Sequence, residues 1–341
     1  MLRVSDVVEE YEKYSLGKVL VILTILLLLI LAAGIAVTLG SYSIPFFKVY
    51  SILIEHPNSV EGRIVWFLRV PRILMAIIAG SALACAGAMT QGILRNPLAT
   101  PYTLGISSAA GLGAAIAILY LGSYAVIPSA FAISLIPVFV ILAIAKMRGA
   151  TPETMILAGI AMLYIFSAVT TLLMFFANPE DVKEIYFWIV GDLGKASWKA
   201  ILPTFASLAV CFLLLFWKTW DVNVIMIAGD ETAKSLGVNP ERLRIFVMFI
   251  SSFLTASIVS FTGTIGFVCL VAPHICRMII GGDYRYLLPA STLFGGLLLL
   301  TCDTIARTVM APIVLPVGVI TNCLGGPMFL YLLLRRRREY W

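Results

Sequence analysis

The chain has 341 residues, of which 61% are hydrophobic and only 12% charged, with a formal net charge of +6. A soluble domain carries about 25% charged residues, so an ordinary water-soluble fold is excluded. Nucleic acid is not needed to explain the positive balance either, because the placement of the basic residues explains it below.

The first 17 residues are mostly polar and are expected as a cytoplasmic N-terminal segment. Val19 to Leu39 then runs without a charge. A helix needs roughly 20 apolar residues to cross about 30 Å of hydrocarbon. This run is too long for the apolar core of a signal peptide and lacks a convincing cleavage site, so it is expected to remain as a first membrane helix over 18–40. Further segments follow at 66–92, 103–121, 124–145, 153–177, 200–217, 244–262, 265–280, 287–308 and 315–334. The pattern predicts an all-α polytopic membrane protein of about ten transmembrane helices, since helices satisfy their own backbone groups in lipid. The transmembrane domain is expected over 18–334, followed by a basic cytoplasmic tail at 335–341. The eighth segment is short and starts just past Gly263 and Gly266, the pattern of a half-length or broken helix buried in protein.

Basic flanks set the orientation. With the N-terminus inside, the inner side receives most of the 24 basic residues, including Lys18, Arg95, Lys146, Arg148, Arg244 and the run Arg335 to Arg338. The outer side receives Lys48, Arg63, Arg69, Arg72, Lys183, Lys195, Lys199 and Arg307. The positive-inside rule therefore puts both termini in the cytoplasm. Loops 41–65 and 178–199 face outward. The second carries Trp188 and Trp198 and is expected to lie at the interface as a short helix. The longest inward connection is 218–243.

Small residues crowd two stretches, Gly80 to Ala88 and Gly105 to Ala115. Such residues let helix backbones approach closely in lipid, or leave room along a pathway. Thr151 and Pro152 form a cap and first turn for the fifth segment. The six cysteines include no CxxC pair, and His56 and His274 are the only histidines. No metal, haem or catalytic centre is expected, and no cofactor bound by this chain. The phosphate-binding pattern GxxxxGK[ST] does not occur in the sequence. If ATP drives transport, its hydrolysis belongs to a separate subunit.

Three charged groupings need a reason. Asp303 and Arg307 share a helix face four residues apart, either as a self-contained pair or as a functional group at membrane depth. Arg69 and Arg72 flank Pro71 on the outer side against the charge bias. A basic patch there suits an acidic partner or an anionic solute, and snorkelling to headgroups is the simpler use. The inward stretch from Gly229 to Arg244 reads as an acid-headed short helix, a glycine stop at Gly237 and a new helix start at Asn239-Pro240. Such punctuation suits a knob that seats in a cytoplasmic partner.

Five stretches then carry a family resemblance: LRVPRILMAIIAGSALACAGAMTQGILRNPLATPYTLGISSAAGLGA at 68–114, FWIVGDLGKASW at 187–198, GDETAKSLGV at 229–238, GTIGFVCLVAPHICRMIIGGDYRYLLPAS at 263–291, and DTIARTVMAPIVLPVGVITNCLGGPMFLYLLLRR at 303–336. In this order they resemble the permease subunits of type II ABC importers, the family that takes up iron–siderophores, haem and cobalamin. The resemblance implies a homodimer with the pathway at its interface. It also implies two ATP-binding cassette subunits, which hold ATP and Mg, on the cytoplasmic side, and an extracytoplasmic substrate-binding protein. Gly229, Asp230, Glu231, Ala233, Leu236 and Gly237 match the element that couples to the ATPase. Arg69, Arg72 and Arg307 match outward arginines that receive acidic residues of the binding protein. The fifth helix resembles the pathway-lining helix, with Thr151, Pro152, Met155, Gly159 and Met162 at the pathway or gate. Val314 departs from the pattern, which often has an acidic residue there. An oxyanion such as molybdate is an alternative cargo within this architecture. A secondary transporter is the rival class, and Asp303 is the intramembrane carboxylate it would have to use.

Overall fold

The computed structural model describes residues 4–40, 42, 44–55 and 59–334, and every regular element among these is a helix. In chain order they are α1 (Val4–Thr38), α2 (Phe46–Glu55), α3 (Val60–Ile93), α4 (Ile106–Leu121), α5 (Ser123–Arg148), α6 (Pro152–Phe176), α7 (Pro179–Val190), α8 (Trp198–Trp217), α9 (Thr219–Ser235), α10 (Pro240–Thr262), α11 (Val268–Ile280), α12 (Tyr284–Thr308) and α13 (Val317–Leu334). Each predicted membrane segment falls on one of these helices. By length and apolarity α1, α3, α5, α6, α8, α10 and α12 can each cross a bilayer. The chain is a polytopic all-α membrane protein. Helix α11 has 13 residues, about 20 Å at a rise of ~1.5 Å per residue. It is the short eighth segment, entered through the non-helical stretch 263–267.

Helix α3 is the central post, with 89% of its apolar window buried. Its small residues explain how. A Cβ on Gly80 would collide with the carbonyl of Gly295, and one on Gly295 with Ala84 and the carbonyl of Gly80. Further along, a Cβ on Gly87 would collide with the carbonyl of Cys269 in α11. Lipid tails are as apolar as leucine, so close van der Waals approach rather than a hydrophobic force holds α3 against α11 and α12.

Three features differ from the sequence reading. Helix α1 begins at Val4, well before the apolar run, so the polar N-terminal residues continue the membrane helix. Ser15 Oγ lies 2.5 Å from Tyr286 Oη, and the buried Lys18 sits 4.1 Å from the Tyr14 ring centroid. This contact marks one end of the bundle, here termed the basal end. The loop expected over 41–65 contains α2 and the first turn of α3. Pro71 is consequently inside a continuous helix rather than near its start. Residues Ile64–Arg69 form a π-helical turn in which Val70 N donates to Val65 O, immediately before the proline that has no N–H to give. Widened turns of this kind absorb a break in the i→i−4 ladder. The Arg335 to Arg338 run and His56 lie outside the described residues.

Candidate functional site

The basal end carries the element at 218–243. Helix α9 turns sharply at Gly229, which has φ 75° and ψ 176°. That conformation is essentially restricted to glycine. The turn lets Asp230 open a new short helix running to Ser235. Its end is a Schellman motif: Val238 N donates to Ala233 O at 2.9 Å and Gly237 N to Lys234 O at 3.1 Å, with Gly237 at φ 87°. Asn239 then caps α10, its side chain accepting from Arg242 N at 3.0 Å. The result is a rigid protrusion. Ala233 is buried at its root, while Glu231, Leu236 and Gly237 are exposed, Leu236 to 64%. Ile227, just before the turn, is 88% exposed.

Asp230 is tied inward. Arg244 Nη2 donates to its Oδ1 at 2.6 Å. This hydrogen bond, above all, holds the Asp230 carboxyl below the usual carboxylate range, with Arg95 and Lys234 contributing attraction; burial acts the other way and loses. Arg244 itself is 2% exposed. Its Nε donates to Ile93 O at 3.2 Å and its Nη1 to Ala150 O at 3.1 Å. Sequence reasoning counted Arg244 only among the inner basic residues. Its position carried a signal all the same: Arg244, Val247, Met248 and Ser251 share the buried face of α10 at helical spacing.

Ala150 leads into α6. Thr151 caps that helix, its Oγ1 accepting from Thr154 N at 3.3 Å, and Pro152 occupies the first turn. Met155 and Gly159 face inward. Both are buried, and a Cβ on Gly159 would press on Leu104. Met162 is half-buried and packs with Leu112 and Phe166. The opposite face of α6 stands open, with Leu157, Tyr164 and Leu172 all more than half exposed.

The far end gathers the three arginines. Asp303 is fully buried, its Oδ1 accepting from Arg72 Nε at 2.8 Å and its Oδ2 from Arg307 Nε at 3.0 Å. Arg307 also donates to Leu39 O at 3.0 Å and Ala36 O at 3.3 Å. Arg69 donates to Val37 O at 2.9 Å, Thr38 O at 3.1 Å and the carbonyl of Tyr42. Both guanidinium groups thus satisfy the last carbonyls of α1 and oppose its dipole. Each is 5% exposed. Arg72 is the most accessible of the three, its side chain 12% exposed, and it lines a cavity of about 880 Å³ together with Asp192, Lys195, Trp188 and Val314. This cavity lies beneath α7. A second, of about 450 Å³, is lined by Tyr102, Phe267 and Asn322 near the start of α11. Phe267 takes φ 64°, a left-handed value uncommon for a residue with a Cβ.

Among the described residues no group of three or more His, Cys, Asp or Glu side chains could hold a metal ion, and of the six cysteines only Cys323 is exposed. The FecCD transport family profile matches residues 25–335. MJ0087 of Methanocaldococcus jannaschii, a provisionally assigned ABC transporter permease, is 45% identical over 97% of this chain and 98% of its own. The hemin transport system permease HmuU of Yersinia pestis is 36% identical over 92% of this chain and 95% of its own. A solved inward-facing ABC transporter, provisionally assigned to the metal-chelate type, superposes with a TM-score of 0.84 at 29% identity, covering 92% of this chain and 99% of that one.

Proposed function

The chain belongs to the FecCD transport family, and from that premise we propose that it is the permease subunit of an ATP-driven importer that moves a metal chelate of iron–siderophore, haem or cobalamin type through a homodimer interface. The family match over 25–335 carries this reading. The hemin permease among its relatives, and the metal-chelate type of the superposed transporter, support the cargo class.

In this reading the basal end is cytoplasmic, both termini lie inside, and two ATP-binding cassette subunits dock there. The protrusion from Gly229 to Gly237 seats in them, presenting Leu236 and Glu231, while Ala233 roots it. ATP binding and hydrolysis take place on those subunits, and this chain converts their movement into a switch of access, a two-state mechanical task. An extracytoplasmic binding protein meets the far end. Arg72 contacts it or the released cargo most directly, and Arg69 and Arg307 shape the rim. The open face of α6 lines the pathway against the second copy, with Thr151 and Pro152 at its cytoplasmic gate and Met155, Gly159 and Met162 setting the helix's seat.

Co-expression with its cassette subunits tests the reading. A detergent-stable complex should form, and its reconstituted form should take up a chelate delivered by the binding protein only when ATP is inside. Leu236→Asp places a charge in the cassette contact and should prevent assembly. Normal assembly and uptake by that variant would remove the protrusion from the mechanism. Ligand binding to the partner binding protein, tested with hemin, ferric citrate, cyanocobalamin and molybdate, selects the cargo.

A further inference from the structure

We propose that Arg244 is the positioning residue that ties the cassette-facing protrusion to the head of α6, so that the two move as one body. The proposal rests on the reading of 229–237 as that protrusion. One planar guanidinium reaches three separate elements: Asp230 at the root of the protrusion, Ile93 at the end of the central helix α3, and Ala150 one residue before the cap of α6.

Packing alone does not account for this. A buried cation is costly, and an apolar side chain of similar volume serves a packing site as well or better. The fork of an arginine instead fixes the relative positions of its acceptors, which a lysine's point charge does not. Ile93 O is a terminal carbonyl of α3 in need of a donor. Ala150 O precedes Thr151, which starts α6, so any displacement of the guanidinium acts on the first turn of that helix.

The other side of the same link is loose. Gly149 has φ 88°, and a Cβ there would meet nothing within 4 Å. Met147 before it is 82% exposed. The head of α6 is therefore held by Arg244 through Ala150 and joined to α5 by a pliant glycine. The swivel sits on the α5 side and the tether on the protrusion side.

The test uses the full complex with its cassette subunits in proteoliposomes, with Cys323→Ser removing the exposed native thiol. Spin labels at Thr232→Cys and Glu153→Cys, both exposed in the wild-type chain, report the protrusion and the first turn of α6. The expected result is a Thr232–Glu153 distance that stays constant when a non-hydrolysable ATP analogue is added, while in a separate, unlabelled Glu153→Cys complex the introduced thiol changes its reactivity. A linkage between two sites is typically 5–150-fold. Arg244→Lys is expected to leave ATP hydrolysis within about twofold of wild type and to abolish the nucleotide-dependent change at Glu153→Cys. A Thr232–Glu153 distance that changes with nucleotide in the unmodified Arg244 background overturns the tether without relying on any Arg244 variant folding. So does a full nucleotide response in Arg244→Lys. Absence of ATP hydrolysis or assembly in the wild-type complex would instead count against the reading on which the tether rests.

Discussion

Arg307 Nε donates to Asp303 Oδ2 at 3.0 Å across one turn of α12, and the same carboxylate accepts from Arg72 Nε at 2.8 Å out of α3. Asp303 is fully buried. It is held between two cations and has no acceptor oxygen left without a charged partner. This arrangement suits a clamp between helices. Asp303→Ala would strand two largely buried guanidinium groups. Breaking one side of a buried charge pair typically costs about 3–5 kcal/mol, so the detergent-solubilised variant should melt well below wild type. An unchanged melting temperature would show that water or lipid already neutralises these arginines.

Gly80 and Gly295 face each other where α3 crosses α12, each blocking any Cβ on the other. Gly295→Ala therefore forces the two helices apart. Overpacking a tight contact costs typically 1–3 kcal/mol, and here the neighbours are the Ala84 Cβ and the Gly80 carbonyl, neither of which can swing aside. A fall in thermal stability is expected for Gly295→Ala. Gly282→Ala, where no atom lies within 4 Å, should show none. Equal behaviour of the two would contradict the close crossing.

The helices themselves were legible because apolar length is a local signal: the segment expected at 153–177 is the helix Pro152–Phe176, with its Thr151 cap. The punctuation at Gly229, Gly237 and Asn239 was equally local. What could not be read was long-range. Arg307 satisfies carbonyls at Ala36 and Leu39, far away in sequence, and no spacing rule announces such a partner. The same holds for Arg244 with Ile93 and Ala150.

Arg69 and Arg72 should separate by experiment. Arg69 spends its donors on the end of α1, so Arg69→Met removes a helix cap and a favourable charge at the dipole, together about 1–2 kcal/mol. The expected outcome is reduced stability at every salt concentration. Arg72→Glu removes one arm of the Asp303 clamp and so also lowers stability, but of the two variants it alone should weaken binding-protein docking, and most at low ionic strength, where charge attraction is least screened. Binding-protein affinity measured across a salt series, beside melting curves, decides between the two. Salt-dependent docking loss in Arg69→Met with unchanged stability would reverse the assignment.

The Asp230–Arg244 pair has a defined pH signature. The hydrogen bond from Arg244 lowers the Asp230 carboxyl below its ordinary value near 3.8. A carboxyl lowered in the folded state adds stability that is fully present above the unfolded value and is lost as pH falls through the lowered one. Across about pH 5 to 8 the pair is therefore fully ionised and contributes a constant amount. Asp230→Asn should reduce the nucleotide response of α6 by a similar factor at every pH in that range, leaving the shape of the ATP-hydrolysis profile as it is in wild type. The measurement is the hydrolysis rate of the two complexes against pH. An inflection between pH 5 and 8 that is present in wild type and vanishes in Asp230→Asn would mean the carboxyl titrates there. Arg244 could not then be its standing partner, because a guanidinium 2.6 Å away holds such a proton off until far more acid conditions.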